Sequence, residues 1–561
     1  MKKPIHEKKV YPNVREVIED IGNLYGERTA FSYRIKASDK VIQKKSYIEL
    51  RDDVRALTTE FISMGVTGKH VALVGKLSYH WILVYYATFC AGGVLVPLDK
   101  EWLGKDLADT GAKAEVSFVF CDGDSIEKGR MISEAAGCCD PVAMEYGEGT
   151  VEELLEAGRV KFAADNSAYF DLAFDTEKLA LLVFTSGTTG KGKGVMLSQK
   201  NILSDIASPL QHIDFTFKTV GVLPPHHTFG STVSILGHCC IGCEVYISSG
   251  LRHVQRELKD QKPGHLVLVP LYLETFYRKI MANIKDQGKE KLIARMIKIS
   301  NVLRKVGIDL RRKLFGAVLD AFGGEIRMVV CGGAPINQDI LSFYDGVGIE
   351  VLNGYGITEC APIIACNHSH NVIPGSVGPA SDVNEVLIHE PNEDGEGEIW
   401  AKGDNVMLGY FKDEEATKEA LTSDGYFRTG DYGKLGKNGE IYITGRKKNL
   451  IILSNGKNVY PEEIEAEFIA VPGVIDIIVY EGQSKRGMEH NAIVAEIFPD
   501  QDYITKNGIT DIYAHLKKYV DEYNLTAVPY KKIGVLKVRS EEFPKNTLRK
   551  IMRFKLDMSI D

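Results

Sequence analysis

The chain has 561 residues, which is too long for one hydrophobic core and predicts two or more domains. Apolar residues make up 44% and charged residues 26% of the chain, a composition that excludes whole-chain disorder, collagen and coiled coil. The net charge of −8 gives no reason to expect a nucleic acid as a partner.

One segment near the N-terminus imitates a membrane span. Residues 77–98 contain no Asp, Glu, Lys or Arg, but Gly92, Gly93 and Pro97 interrupt the apolar run. A buried helix over about residues 79–91, followed by a short strand, explains this pattern better than a helix that crosses a bilayer. The first residues are charged and have no apolar stretch behind them, so we expect a cytoplasmic protein without a secretory signal.

The ten cysteines are too sparse for a disulfide framework in a chain of this length. Cys240 and Cys243 have CxxC spacing, and Cys239 precedes them. A zinc site would require a second Cys/His pair at similar spacing, and the sequence shows none. We therefore interpret these cysteines as small buried residues beside a strand at residues 244–248.

Short runs of Val, Ile and Leu alternate with helical patterns along most of the chain, for example at residues 117–120, 179–184, 265–269 and 327–330. This alternation predicts an α/β fold of layered, mainly parallel sheets with helices.

The pattern changes in the C-terminal third. Residues 382–445 contain short alternating strands separated by Gly and Asp, which predicts an antiparallel β subdomain. A proline and acidic residues then begin a helix at residues 461–468. We predict a large N-terminal domain over residues 1–446 and a small, mobile α+β domain over residues 447–561.

The strongest local signal is the segment Thr185–Val195, which follows an apolar run. Its glycines let backbone N–H groups turn toward an anion, its hydroxyls add donors, and Lys191 and Lys193 add charge. Such a loop is typical of a triphosphate or pyrophosphate site. A Walker A loop is disfavoured, because Gly194 stands where its magnesium-binding hydroxyl would be and a strand follows instead of a helix.

This segment resembles the phosphate loop of the adenylate-forming superfamily, which includes acyl-CoA synthetases, peptide-synthetase adenylation domains and firefly-type luciferases. Further segments are similar to the other motifs of that family, in the expected order: residues 223–230, 332–335, 353–359, 426–431, 444–448, 455–461 and 544–553. The resemblance implies that the protein uses ATP, Mg²⁺ and coenzyme A. It also implies a phosphate site formed by Thr185, Ser186, Gly187, Thr188, Thr189, Gly190 and Lys193.

The resemblance also implies roles near the adenine and the reacting carboxylate. His227 matches the residue beside the carboxylate substrate, and Phe229 and Gly230 belong to the same motif. Tyr355 would stack on adenine. Around the adenine, the matching residues are Gly332, Gly333, Ala334, Pro335, Asn353 and Gly354.

Four further residues match positions that bind the α-phosphate, the metal and the ribose. Thr358 would bond the α-phosphate, and Glu359 would hold Mg²⁺ together with Thr185, because a hard cation prefers oxygen ligands. Asp431 would accept hydrogen bonds from both ribose hydroxyls.

The last motifs concern the small domain. Arg446 would contact ribose or phosphate, and Lys448 would lie at the pivot between the domains. Gly456 and Lys457 fall in a segment whose family counterpart lines the pantetheine tunnel. Lys550 occupies the position of the catalytic lysine, although the family's usual neighbours, a Gly before it and a Thr after Pro-Lys, are Arg and Asn here.

The implied reaction has two steps. A carboxylate attacks the α-phosphorus of MgATP to give acyl-AMP and pyrophosphate, and a thiol then displaces AMP. Because two anions must meet in the first step, Lys193, Lys550 and the Mg²⁺ on Glu359 would supply positive charge. Closure of the small domain would bring Lys550 to the site, and rotation about Lys448 would remove it for the second step.

The substrate is a medium- or long-chain fatty acid in our interpretation. Amino-acid-activating relatives place an Asp where this chain has Gly230, and a buried ammonium without a partner would be costly. Other functions stay open: a fatty acyl-AMP ligase or acyl–acyl-carrier-protein ligase, an aryl or short-chain acid–CoA ligase, a peptide-synthetase adenylation domain, and a non-catalytic binding protein.

Residues 277–313 form a basic insertion that resembles the extra region of long-chain acyl-CoA synthetases. It contains twelve Lys and Arg against three Asp and Glu. Such a charge run is consistent with a solvated helix face, or with a patch that contacts anionic lipid at the inner face of the membrane or a charged partner.

Overall fold

The computed structural model describes residues 4–145, 149–185, 192–453, 458–469, 471–482, 492–545 and 551–560. Its α-helices are α1 Val14–Tyr25, α2 Tyr47–Ser63, α3 Tyr79–Cys90, α4 Gly104–Lys113, α5 Ile126–Ala136, α6 Val151–Ala164, α7 Ser167–Phe170, α8 Gln199–His212, α9 His238–Cys240, α10 Val254–Gln261, α11 Pro270–Asp286, α12 Glu290–Arg304, α13 Arg311–Leu314, α14 Gly316–Leu319, α15 Gln338–Val347, α16 Glu414–Ala420, α17 Pro461–Phe468, α18 Gln501–Lys506 and α19 Ile512–Thr526.

The strands are β1 Thr29–Tyr33, β2 Gln43–Ser46, β3 His70–Val74, β4 Val94–Leu98, β5 Val116–Cys121, β6 Val142–Ala143, β7 Leu179–Thr185, β8 Lys193–Ser198, β9 Lys218–Gly221, β10 Glu244–Ile247, β11 His265–Leu268, β12 Met328–Gly332, β13 Glu350–Gly356, β14 Ile363–Cys366, β15 Asn384–His389, β16 Gly397–Gly403, β17 Gly409–Tyr410, β18 Phe427–Leu435, β19 Ile441–Arg446, β20 Ile451–Ile452, β21 Asn458–Val459, β22 Val474–Gly482, β23 Ala492–Pro499 and β24 Val535–Val538.

Three sheets form the first part of the chain, and most of their strand pairs are parallel. Their strand orders are β17-β8-β7-β4-β3-β5-β6, β2-β1-β10-β9 and β11-β12-β13-β14. Antiparallel pairing occurs at their margins, between β7 and β8, β8 and β17, β1 and β2, and β13 and β14. The α/β fold of mainly parallel sheets is therefore confirmed.

The apolar segment near the N-terminus is part of the core. It folds into α3, whose residues are all buried, and then into the buried strand β4. The prediction of a helix and a strand, which was based on the interrupting glycines and proline, is confirmed. The helix begins after Ser78, whose side chain accepts a hydrogen bond from the Trp81 N–H. In the part of the chain that the structure describes, no helix is both long and apolar enough to cross a membrane.

The later elements match the predicted change of pattern. Strands β15, β16, β18 and β19 form a wholly antiparallel sheet. After Arg446, strands β22–β24 form a separate sheet that packs with α17 and α19 around its own buried apolar cluster. The domain division at residues 446 and 447 stays a prediction.

Candidate active site

Strands β7 and β13 belong to different sheets, but Tyr410 contacts a residue beyond the carboxyl end of each, Lys193 after β7 and Glu359 after β13. Ligands of α/β proteins bind in the crevice beyond such strand ends. The predicted nucleotide residues can be traced outward from these ends.

The predicted phosphate loop connects β7 to β8. Thr185, the last residue of β7, is paired in register with Lys193, the first residue of β8. β8 continues as a strand and α8 begins only at Gln199, which agrees with the rejection of a Walker A loop. Outside the described residues lie the predicted phosphate-binding residues Ser186, Gly187, Thr188, Thr189 and Gly190.

Tyr410 joins two of the predicted residues, and sequence reasoning did not find it. Its ring centroid lies 4.7 Å from Lys193 Nζ. Its hydroxyl donates a hydrogen bond to Glu359 Oε1 at 2.9 Å. One tyrosine therefore holds a cation and a carboxylate side by side, through a cation–π contact and a charge-assisted hydrogen bond.

Glu359 has the environment of a metal-binding carboxylate. It lies in the short 3₁₀ helix Thr358–Cys360, directly beyond β13. Burial raises the pKa of Glu359 above its ordinary value, and the hydrogen bond from Tyr410 partly opposes that rise. Oxygen ligands suit Mg²⁺, so Glu359 could hold this ion, and its sharing of the ion with Thr185 stays a prediction.

Removing the Tyr410 hydroxyl tests this arrangement. In Tyr410→Phe the carboxyl of Glu359 loses a donor that favours its ionised form, so its pKa rises further and protons compete better with Mg²⁺. We expect the fall in the rate of adenylate formation on the acid side of the pH profile to move to higher pH. On that side the rate should be about tenfold lower than in the wild type, and at alkaline pH it should be little changed.

The measurement is the pH profile of pyrophosphate exchange at several Mg²⁺ concentrations. Tyr480→Phe is the matched control, because the Tyr480 hydroxyl makes the same kind of bond, at 2.9 Å, to Glu496 in the last sheet. An unshifted profile for Tyr410→Phe would disprove the coupling between Tyr410 and Glu359.

Three of the predicted nucleotide residues come together from two sheets: Asp431 and Arg446 lie on the neighbouring strands β18 and β19, and Tyr355 lies on β13. Asp431 on β18 accepts a hydrogen bond from the Tyr355 hydroxyl at 2.8 Å, and it lies 2.9 Å from Arg446 Nε. The antiparallel register places Asp431 opposite Arg446, and the Asp431 carboxylate raises the pKa of Arg446. Only 3% of Asp431 is exposed, so its interactions are little screened by water.

Lys448 follows this cluster in the chain. It lies in the 3₁₀ helix Lys447–Asn449, between the last strand of the antiparallel sheet and β20. Partial burial, followed by the neighbouring charge of Arg446, lowers the pKa of Lys448. Its position between two sheets is compatible with the predicted pivot, which stays a prediction.

The predicted adenine loop lies at the ends of β12 and β13. Gly332 is paired in register with Gly354, and Asn353 with Cys331. Gly333 has a φ of +91°, which favours glycine, and it begins the exposed turn that continues through Ala334 and Pro335.

The predicted substrate segment packs against the adenine loop. A Cβ atom on Gly332 would lie 3.6 Å from the Phe229 ring. The ring of His227 lies 4.2 Å from that of His226, centroid to centroid, and His226 Nε2 lies 3.5 Å from the buried Asp99. A Cβ atom on Gly230 would lie 2.2 Å from the Pro224 carbonyl oxygen, so this backbone has no room for a side chain.

A buried polar node supports the loop that carries Thr358 and Glu359. Asp205, which is wholly buried, accepts from the Ile363 N–H at 2.8 Å and from Asn405 Nδ2 at 3.1 Å. Asn405 Nδ2 also donates to the Cys360 carbonyl at 2.9 Å. The chain separations of these contacts explain why sequence reasoning missed Asp205 and Asn405. Outside the described residues lie the predicted Gly456, Lys457 and Lys550.

Comparison with known proteins identifies the family of the chain. The family described as "AMP-binding enzyme" matches residues 18–411. Long-chain-fatty-acid–CoA ligase FadD15 of Mycobacterium bovis is 29% identical over 456 residues, covering 77% of this chain and 74% of that protein. Long-chain-fatty-acid–CoA ligase 5 of Mus musculus is 28% identical over 512 residues, covering 84% and 74%.

Solved structures share the fold. ATP-bound MatB from Rhodopseudomonas palustris has a TM-score of 0.74 and 23% identity, covering 96% of this chain and 97% of that one. The o-succinylbenzoate coenzyme A synthetase MenE of Bacillus subtilis, in complex with ATP and magnesium, has a TM-score of 0.71 and 21% identity, covering 98% and 100%.

The fold and site define a nucleotide-binding α/β protein in which an aspartate, a tyrosine and an arginine from three strands lie together. The chain belongs to the AMP-binding enzyme family, which makes it an AMP-forming acid–CoA ligase. Enzymes of this kind use ATP, Mg²⁺ and CoA, so the predicted cofactor set is confirmed.

Proposed function

We propose that this protein activates a medium- or long-chain fatty acid to acyl-AMP, releases pyrophosphate, and transfers the acyl group to CoA to give acyl-CoA and AMP. The observation that carries the proposal is the convergence of Tyr355, Asp431 and Arg446 beside the Glu359–Tyr410 pair. The names of the curated relatives support a long acyl chain.

Each residue of this site has a chemical task in the proposed first step. Asp431 accepts from the ribose hydroxyls, since a carboxylate has lone pairs left after binding Tyr355 and Arg446. Lys193 and Lys550 stabilise charge that develops on the phosphates. Glu359 and Thr185 would hold Mg²⁺, which would supply further positive charge to the phosphate oxygens. Thr358 donates to the α-phosphate, and His227 positions the carboxylate.

Two properties of the substrate segment support an apolar acid. The space at Gly230 excludes the aspartate that would pair with an amino group. Phe229 of this segment packs against a cluster of buried and half-buried apolar side chains that includes Val233, Val267, Val330 and Ile363. Because an acyl chain gains free energy from apolar surroundings, this environment favours a fatty acid over a charged or amino acid.

Product analysis tests the proposal. The protein is incubated with ATP, Mg²⁺ and a panel of acids of increasing chain length, with and without CoA, and the products are identified by mass. We expect AMP, pyrophosphate and an acyl-CoA whose yield is greatest with medium- or long-chain acids. Acyl-AMP that accumulates whether or not CoA is present would instead identify an acyl-AMP or acyl-carrier-protein ligase, and preference for aryl or short acids would overturn the substrate class.

We also propose that the basic insertion binds the surface of an anionic bilayer. In α12 and the turn beyond it, exposed Leu292, Ile299, Val302 and Val306 follow helical spacing. Exposed cations beside this stripe are Lys291, Arg295, Lys298 and Lys305. An apolar stripe flanked by lysine and arginine is typical of helices that lie in a membrane interface.

Two charge substitutions in this stripe should weaken vesicle binding. Val302 and Val306 are 64% and 71% exposed, so Val302→Glu with Val306→Glu should leave the fold intact while placing two carboxylates against anionic lipid. We expect at least about a tenfold loss in co-sedimentation with phosphatidylserine vesicles, and a similar loss for the wild type at high salt.

The matched control is Leu525→Glu, which alters a leucine that is 84% exposed near the end of α19. Vesicle binding that is absent in the wild type at low salt, or equally weakened by Leu525→Glu, would contradict the proposed membrane face.

A further inference from the structure

A buried cluster of nitrogen and sulfur ligands lies apart from the nucleotide site. His238 begins α9 just after the π-helix Phe229–Gly237, Cys243 precedes β10, and His265 begins β11. One ligand atom from each residue lies within 4.8 Å of the other two, and all three residues are buried. The CxxC pattern suggested no metal site, because His265 lies far along the chain from Cys243 and only the fold brings it near.

The outer nitrogen of each imidazole ring has a polar partner, as the outer nitrogens of metal-binding histidines do. His238 Nδ1 lies 2.9 Å from the Ser234 carbonyl oxygen, and His265 Nδ1 lies 2.7 Å from Thr216 Oγ1. Ligating histidines usually use their second nitrogen in this way, which fixes the ring and directs the other nitrogen to the metal. The two Nε2 atoms indeed face each other, 2.7 Å apart.

The two rings are buried and packed against an aromatic side chain. Phe215 lies against both imidazoles, with ring centroids 5.5 Å from His238 and 5.1 Å from His265. The Cys243 N–H donates to the His238 carbonyl at 3.1 Å, so the backbone fixes two of the ligands relative to each other. These contacts keep the three ligand-bearing residues close together, and the two rings need only move slightly apart to admit an ion between their Nε2 atoms.

We propose that His238, Cys243 and His265 bind one thiophilic metal ion of the Zn²⁺ or Cu⁺ class. Thiolate with imidazole is the ligand set that favours these ions over Mg²⁺. The ion would link β11 to the end of the π-helix. Because this π-helix carries Phe229 and Gly230, the link would hold the substrate segment in place.

The proton balance of binding follows from the hydrogen bonds. Without metal, the Thr216 hydroxyl donates to His265 Nδ1, and His265 Nε2–H donates to His238 Nε2. On binding, the proton of His265 moves from Nε2 to Nδ1, and the Nδ1–H then donates a hydrogen bond to Thr216 Oγ1, whose own hydroxyl proton can turn to the Lys218 carbonyl at 3.4 Å. The Cys243 thiol loses its proton to solvent, so each ion should release one proton.

Metal analysis of the full chain tests the site. The purified protein is treated with a chelator, given Zn²⁺ or, under reducing conditions, Cu⁺ in the presence of excess Mg²⁺, desalted, and measured by mass spectrometry. We expect about one ion per chain for at least one of the two metals, a rise in melting temperature of about 2 °C or more, and release of one proton. Less than about 0.1 ion per chain with both metals, on folded protein, would overturn the proposal.

A pair of cysteine variants locates the ion. Cys243→Ala should lower metal affinity at least tenfold, whereas Cys240→Ala, which changes an equally buried cysteine outside the cluster, should retain it. X-ray absorption of the wild type should show one sulfur and two nitrogen neighbours. A spectrum with only nitrogen and oxygen neighbours, or equal metal content in the two variants, would identify an adventitious surface ion and refute the site. Both results are independent of the acid that the enzyme activates.

Discussion

Lys550→Ala is expected to lower acyl-AMP formation at least about a hundredfold, because it removes a positive charge where the attacking carboxylate and the triphosphate meet. The expectation rests on the resemblance of residues 544–553 to the catalytic-lysine motif, since Lys550 lies outside the described residues. The measurement is exchange of radiolabelled pyrophosphate into ATP in the presence of a fatty acid.

The second half-reaction separates this role from a folding defect. When acyl-AMP is supplied, Lys550→Ala should still form acyl-CoA, because thiol capture is expected after the small domain has moved Lys550 away. Lys555→Ala, which changes an exposed lysine of the same C-terminal segment, serves as the control. Unchanged pyrophosphate exchange in Lys550→Ala would mean that another residue supplies the charge.

Asp431→Asn is expected to weaken ATP binding about a hundredfold. The carboxylate would lose two charge-assisted bonds to the ribose, together worth about 3 kcal/mol, and each 1.4 kcal/mol corresponds to a factor of ten. The substitution also weakens the contacts that orient Tyr355 and Arg446. The affinity for ATP can be measured by calorimetry, alongside the KM for ATP in acyl-CoA formation.

The chain contains a closely matched control for this variant. Glu496 is buried, accepts from the Tyr480 hydroxyl at 2.9 Å, and pairs with Arg539 at 2.6 Å, so it repeats the tyrosine–carboxylate–arginine arrangement of Asp431. Glu496→Gln should lower thermal stability by an amount similar to that caused by Asp431→Asn, but it should leave the affinity for ATP unchanged. Equal ATP affinity in Asp431→Asn and the wild type would refute the ribose assignment.

The sequence by itself determined the class of fold and the order of the functional segments. Alternating apolar runs predicted parallel strands and helices. The glycine-rich segment and the strand after it could also be predicted, because both are recognised from residues that are neighbours in the sequence. Gly230 likewise disfavoured an amino-acid substrate from the sequence alone, and in the structure the Pro224 carbonyl occupies the space that a side chain at this position would need.

Tertiary structure alone decided which distant residues act together. Tyr410 reaches Lys193 and Glu359 because β17 pairs with β8 at the edge of the seven-stranded sheet. His265 reaches His238 because β11 lies beside the segment that follows the π-helix. Such contacts arise from strand register and from the packing of sheets, and the spacing of residues along the sequence shows neither. Residues far apart in the sequence therefore become neighbours only when the sheets are assembled.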